Sequence, residues 1–143
     1  VVKPVFLKIK PAPPVKDMKR AKIAFVTDGG IIATGNPDRL ESRACRVWGE
    51  YELDKLFPAN GKTDYSVIHM GYENSQVLNN YNRMIPVDPA REYEGKGLIG
   101  KLNPTFYSTT GNCSIVKRSR EMGDEIAVKL KNEGVDAVIL TST

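Results

Sequence analysis

The sequence has 143 residues, enough for one domain that buries roughly two thirds of its unfolded surface without disulfide or metal staples. Apolar residues at 41% and charged residues at 27% fit an ordinary globular chain and exclude a disordered or collagen-like one. No apolar run approaches the roughly 20 residues that span a bilayer. Two cysteines, Cys45 and Cys113, make no disulfide framework and no zinc-finger spacing, and a single histidine, His69, excludes any site built on two histidine ligands.

The formal charge of +4 is unevenly spread. Residues 1–22 carry seven basic groups and one acid, Asp17, while the remaining 14 basic and 16 acidic residues leave −2. The basicity therefore belongs to an N-terminal arm, residues 1–20, with prolines at 4, 11, 13 and 14. A nucleic-acid interface needs a basic face with stacking aromatics, and here the aromatics are scattered. Val5–Leu7 and Ile9 suit a short strand, whereas 10–20 reads as an extended linker. No small-residue cleavage site follows an apolar stretch, so no signal peptide is expected.

Residues 21–143 read as one α/β domain. Lys22–Thr27 is a compact apolar run closed by Asp28-Gly29-Gly30, the pattern of a parallel strand buried on both faces. Asn36-Pro37-Asp38 then suggests a helix from 38 to 48, with Asp38 as cap, Glu41 at the capping-box position, and Leu40, Ala44, Val47 and Trp48 at helical spacing. Tyr65–Met70 reads as a second strand closed by Gly71. Pro89 opens a short helix through Glu94, and Thr105–Thr109 suits a further strand. Ser114–Glu133 is the clearest helix, with Ile115, Met122, Ile126 and Leu130 on one stripe and Gly134 at the left-handed C-cap position. Val135–Leu140 follows at once as a third strand. This alternation predicts an open, mostly parallel sheet with helices on both faces, of the doubly wound type. The strands at 22–27, 65–70 and 135–141 are expected to lie parallel in one sheet.

Ligands in such sheets bind beyond the carboxyl ends of the strands. That rule selects Thr27, Asp28, Gly29 and Gly30, then His69, Met70, Gly71 and Tyr72, then Thr109, Thr110, Gly111 and Asn112, then Thr141, Ser142 and Thr143. The glycine turns offer backbone donors to a carboxylate or phosphate, although each also reads as an ordinary turn or helix cap. Neither matches a P-loop or a dinucleotide fingerprint. His69 suits a general acid or base and equally a packed, hydrogen-bonded side chain. Cys113 precedes a helix but has no base partner in the sequence, and Cys45 and Trp48 read as core. The charges at Asp38, Arg39, Glu41, Arg43 and Arg46 read either as a solvated helix face or, so close to a glycine turn, as ligand contacts.

Lys22–Gly30, Gly35–Arg39, Glu41–Arg43, Gly71-Tyr72, Asn82–Asp88, Gly97–Lys101, Thr110–Asn112 and Gly134–Thr143 together resemble the selenoprotein subunit of component B of the glycine/sarcosine/betaine reductases. The resemblance implies reductive cleavage of a substrate C–N bond in the cytoplasm of an anaerobic, amino-acid-fermenting bacterium. It implies a partner subunit whose pyruvoyl group engages the substrate amine, and a second selenoprotein, component A, that receives the two-carbon unit. It also implies a selenocysteine directly after Thr143, so no catalytic residue is expected within the chain and the piece alone is expected to be inactive. A selenol suits the role because it is ionised at neutral pH, where an ordinary thiol with a pKa near about 8.5 is mostly protonated. Arg39 and Arg43 are the expected holders of the substrate carboxylate, with Asp28 and Glu41 orienting them and Asn36 beside them. Cys113 lies at another strand end and does not replace the selenocysteine. On this reading the chain is cut from something larger, its last strand is an exposed edge open to self-association, and it binds neither nucleic acid nor membrane. The competing reading is a small α/β module that holds a carboxylate or phosphate without catalysis. An in-frame UGA codon after Thr143, rather than an ordinary stop, separates the two.

Overall fold

A computed structural model describes residues 10–56 and 63–143. The expected strand at Val5–Ile9 lies outside the described residues. Residues 10–17 run without regular structure into a single 3-10 turn, Met18–Arg20, whose Lys19 N–H donates to the Asp17 carboxylate.

The described residues then form six strands and three α-helices: β1 (Lys22–Thr27), β2 (Ile31–Ala33), β3 (Gly49–Glu52), β4 (Tyr65–Val67), α1 (Ser75–Asn79), α2 (Val87–Gly95), β5 (Lys101–Ser108), α3 (Val116–Asn132) and β6 (Ala137–Thr141). The main sheet has the order β3-β5-β1-β6, with β1 parallel to both β5 and β6 and β3 antiparallel to β5. It is a mixed, mostly parallel α/β sheet with helices on both faces. The expected parallel pairing of the first and last strands is present in the register Ile23–Ala137 through Thr27–Thr141.

Alternation along β1 explains the two layers. Ile23 and Phe25 point into the larger core, where Phe106 of β5, Tyr51 of β3, Val77 of α1 and Val87 of α2 meet them. Ala24 and Val26 point the other way, onto Ile126 and Leu130 of α3 and Tyr107 of β5. Helix α3 buries Met122, Ile126 and Leu130 on one stripe as their spacing predicts, whereas Ile115, expected on the same stripe, is the exposed N-cap residue before it. The helix ends in a Schellman motif: Val135 N–H donates to Leu130 O, and Gly134 N–H, at φ 70°, donates to Lys131 O.

Three expectations are corrected. The segment 38–48 is not a helix but an irregular loop. Asn36 closes on itself there: its Oδ1 accepts from Leu40 N–H and its Nδ2 donates to Leu40 O, which diverts the backbone groups a helix would pair. Asn36, Arg39 and Ala44 all take positive φ, and Leu40 and Cys45 are buried by this loop rather than by a helical stripe. Second, the strand expected at 65–70 is only Tyr65–Val67, and it pairs antiparallel with β2 in a separate two-stranded sheet. Third, the strand expected at 105–109 begins four residues earlier. Its register explains why: Ile23 faces Leu102 but Phe25 faces Phe106, so β5 bulges at Asn103-Pro104-Thr105, where Pro104 has no N–H to give the ladder.

The bulge is held by Glu133 at the end of α3. Its carboxylate accepts from the Tyr107 hydroxyl at 2.6 Å and from Asn103 Nδ2 at 2.7 Å, and both donors belong to buried residues. Removing it in Glu133→Ala takes the acceptor from the buried Tyr107 hydroxyl, while Asn103 Nδ2 keeps Thr105 O and Oγ1, an expected loss of about 1–3 kcal/mol. Urea unfolding checks this: the midpoint should fall with the slope unchanged. An unaltered midpoint would mean that the carboxylate does not hold the bulge.

Candidate functional site

Three chain segments meet beyond the carboxyl ends of β1, β5 and β6. Main-chain bonds fix their approach. Thr109 N–H donates to Thr27 O, Gly30 N–H to Thr109 O, Gly111 N–H to Asp28 O, and Asp28 N–H to Thr141 O. A fourth segment joins through Ile68 N–H to Gly30 O, which carries His69 and Gly71 to the same rim. The result is an open cleft of about 410 Å³ lined by Asp28, His69, Gly71, Gly111, Asn112, Ser142 and Thr143. Another cleft, of about 470 Å³, lies between the proline-rich segment and Asp136, at the amino ends of β1 and β6. Parallel sheets do not place ligands at that end.

Asp28 ties the rim together. Its Oδ2 accepts from the Ser142 hydroxyl at 2.8 Å and its Oδ1 from Thr143 N–H at 3.2 Å. These bonds carry β6 straight into the cleft. Gly111 must be glycine for this packing, since a Cβ there would sit 2.5 Å from Asp28 Oδ2.

His69 faces the same point from the other side. It is 4% exposed, its Nε2 lies 3.5 Å from Thr143 Oγ1, and its Nδ1 accepts from Gly71 N–H at 2.9 Å. The Tyr72 ring lies against the imidazole, with centroids 4.9 Å apart, and the Tyr72 hydroxyl donates to Gly29 O at 2.8 Å. Burial holds the His69 pKa below its ordinary 6.5, against the weaker upward pull of the Asp28 charge. Burial and then the Asp28 charge push the Tyr72 phenol up to about 12. Tyr72 closes the strand-end segment His69–Tyr72 that the sequence selects, and its part here is to pack against the imidazole.

The remaining sequence candidates divide. Gly29, Gly30 and Thr141 stand directly behind the cleft as its main-chain frame. The loop after β2 reaches the rim only through its backbone: Met70 N–H donates to Ser42 O and Ala44 N–H to Asn112 O. Asn36, Asp38, Arg39, Glu41 and Arg43 are not among the described lining residues. Asp38 instead accepts from the Tyr51 hydroxyl at 3.0 Å, beside a different cleft, and Glu41 accepts from Arg46 N–H at 3.0 Å, a bond that lowers its own pKa. Arg39 and Arg43 are exposed. Cys113 is exposed at φ 55°, and Cys45 is buried with its thiol directed at Val47 O. Among the described residues no group of three or more His, Cys, Asp or Glu side chains is placed to hold a metal ion, and no helix is long and apolar enough to cross a membrane.

Two outcomes follow from these contacts. In Asp28→Ala the Ser142 hydroxyl and the Thr143 amide both lose their acceptor, so the Thr143 amide should exchange with solvent about tenfold faster, in keeping with the loss of one charge-assisted bond. Unchanged exchange would remove Asp28 from its anchoring role. For His69 the sign is set by a folded-state pKa below that of the unfolded chain. Its stabilising contribution is complete above pH 6.5 and is lost as pH falls through the window beneath it. Because the chain has one histidine, a His69→Gln variant should lack this part of the pH–stability curve.

The sequence profile of the family described as glycine/sarcosine/betaine reductase selenoprotein B matches residues 1–143. Among curated relatives, the chain is 45% identical over 140 residues to the glycine reductase complex component B subunit gamma of Symbiobacterium thermophilum, covering 98% of this chain and 32% of that protein. It is 41% identical to two proteins of Peptoclostridium acidaminophilum. One is the sarcosine reductase complex component B subunit beta, over 98% of this chain and 32% of the relative. The other is the betaine reductase complex component B subunit beta, over 95% and 31%. The chain thus spans about a third of the length of the curated relatives it matches. No solved structure matches it. With a family profile that matches from its first residue to its last, the chain belongs to the glycine/sarcosine/betaine reductase selenoprotein B family.

Proposed function

We propose that this chain forms part of a component B subunit of an amino-acid reductase that cleaves the C–N bond of glycine, sarcosine or betaine. The observation that carries the reading is the cleft at the end of β6, where Asp28 and His69 converge on Thr143. A nucleophile needs to be held within a few ångströms of its target, and the residue after a parallel strand is well placed for that. Family membership supports a selenocysteine following Thr143 as that nucleophile. Its selenolate would donate an electron pair to the substrate α-carbon while the C–N bond breaks and its pair leaves with the amine. The two-carbon unit would then pass to component A, and a pyruvoyl group on a partner subunit would supply activation of the amine.

The residues described here would serve that chemistry by position. Asp28 fixes the strand end, Gly71 and Gly111 leave room beside it, and His69 and Asn112 present polar groups to whatever occupies the cleft. Identities of 45%, 41% and 41% to the glycine, sarcosine and betaine relatives favour no one substrate strongly.

The test combines the pyruvoyl partner and component A with either the 143-residue chain or a full-length subunit carrying selenocysteine. Amine release is expected only from the full-length subunit. Comparable release by the 143-residue chain would sink the assignment of the nucleophile, and no release by the full-length subunit from any of the three substrates would overturn the reductase reading.

A further inference from the structure

The cleft contains one charged side chain, Asp28, and no cationic one among its described lining residues. Arginine recognition of a carboxylate therefore has no side chain to act through at this point of the fold. What the cleft does contain is a pair of neutral polar groups on either side of Gly71. A methyl placed on Gly71 would lie 2.6 Å from His69 Cε1 and 3.6 Å from Asn112 Cγ, so both side chains flank the same glycine.

The protonation of His69 follows from its neighbours. A backbone N–H can only donate, and Gly71 N–H donates to Nδ1 at 2.9 Å. Nδ1 therefore carries a lone pair, and the proton of the neutral ring is on Nε2. The Tyr72 ring against one face and the glycine backbone at the edge hold the imidazole in place. In this tautomer Nε2 has no lone pair to accept a proton, so His69 offers a fixed N–H and not a base. Its present partner, Thr143 Oγ1 at 3.5 Å, is at the far limit of a hydrogen bond and is readily exchanged for a ligand oxygen.

We infer that His69, locked as the Nε2–H tautomer, and the Asn112 amide are the neutral donors that hold the substrate's carboxylate, in the place where an arginine would be expected. The inference rests on the reductase reading for the identity of the ligand, but the tautomer does not. It also gives Asp28 a second duty. A small amino acid is dipolar, and a cleft with one carboxylate on one side and two neutral donors on the other matches a cation and an anion a few atoms apart. The titratable groups that face the imidazole are Asp28 at the end of β1 and the Tyr72 phenol, whose ring packs tilted against it. Asp28 favours protonation of the ring and burial opposes it, with burial the larger effect.

The tautomer is read directly from a long-range proton–nitrogen correlation spectrum of the untagged chain, where the one histidine needs no assignment. A protonated Nε2 with a bare Nδ1 is expected near neutral pH. A proton on Nδ1, or an imidazolium, overturns the inference. The second arm uses the full-length subunit with its partners. Glutamine places an amide N–H close to the position of Nε2, and asparagine places it near Nδ1. His69→Gln should therefore keep KM for glycine within a few-fold of the parent, while His69→Asn and Asn112→Ala should raise it about tenfold or more, as for loss of one hydrogen bond to a charged group. For glycinamide, which lacks the carboxylate, the same variants should change KM little. Equal losses in His69→Gln and His69→Asn, or equal effects on glycine and glycinamide, would overturn the donor role. If the unaltered complex releases no amine at all, the reductase reading falls, and the spectrum still decides the tautomer.

Discussion

The rim of this sheet depends on one aspartate. Asp28 uses its backbone N–H to bind β6, its backbone carbonyl to bind the turn after β5, and both carboxylate oxygens to bind the residues beyond β6. A single residue at the end of the central strand thereby fixes both of that strand's parallel neighbours. The arrangement works because the flanking positions are glycines. A side chain on Gly111 would occupy the space of the carboxylate, and one on Gly29 would collide with Met84 in the core below. Polar convergence at a strand end is therefore obtained by removing side chains around one charged group.

His69 enters this frame from outside the main sheet. Strands β2 and β4 form their own small sheet, and the backbone bond from Ile68 to Gly30 seats it on the end of β1. The core beneath is aromatic: Tyr51, Tyr65 and Phe106 pack edge-on or tilted at centroid distances of 5.5–5.8 Å. Such packing resists small shifts, because each ring's volume is matched by its neighbours. The imidazole is thus positioned by a rigid hydrophobic layer, while its chemistry is decided by one glycine N–H.

Much of this was legible in the sequence, for identifiable reasons. β1, β6 and α3 carry continuous apolar runs or a clean helical stripe, and Gly134 marked the helix end it occupies. The glycine turns at the strand ends pointed to the rim because a parallel sheet leaves ligands no other edge. The loop at 38–48 was misread because periodicity registers burial and not backbone pairing. Leu40 and Cys45 are buried there as a helix would bury them, but Asn36 had already claimed the local main-chain groups. β3 was passed over although Gly49 and Tyr51 alternate with exposed Glu50 and Glu52, because four residues are too few to stand out. The arginines were favoured by charge complementarity and by their closeness to a glycine turn, neither of which says where an irregular loop aims them.

The sheet also contains a device of fixed length. At the amino end of β6 the Asp136 carboxylate accepts from Lys22 N–H and Asp136 N–H donates to Lys22 O. At the carboxyl end Asp28 performs the same office for Thr141, Ser142 and Thr143. Between the two aspartate clamps β1 and β6 advance residue for residue, and the Schellman turn at Gly134 leaves no slack ahead of them. A strand reverses the direction of its side chains with every step, so one inserted or deleted residue between 134 and 141 would turn Thr143 away from His69. The stretch from α3 to the cleft is thus a ruler that cannot change its count.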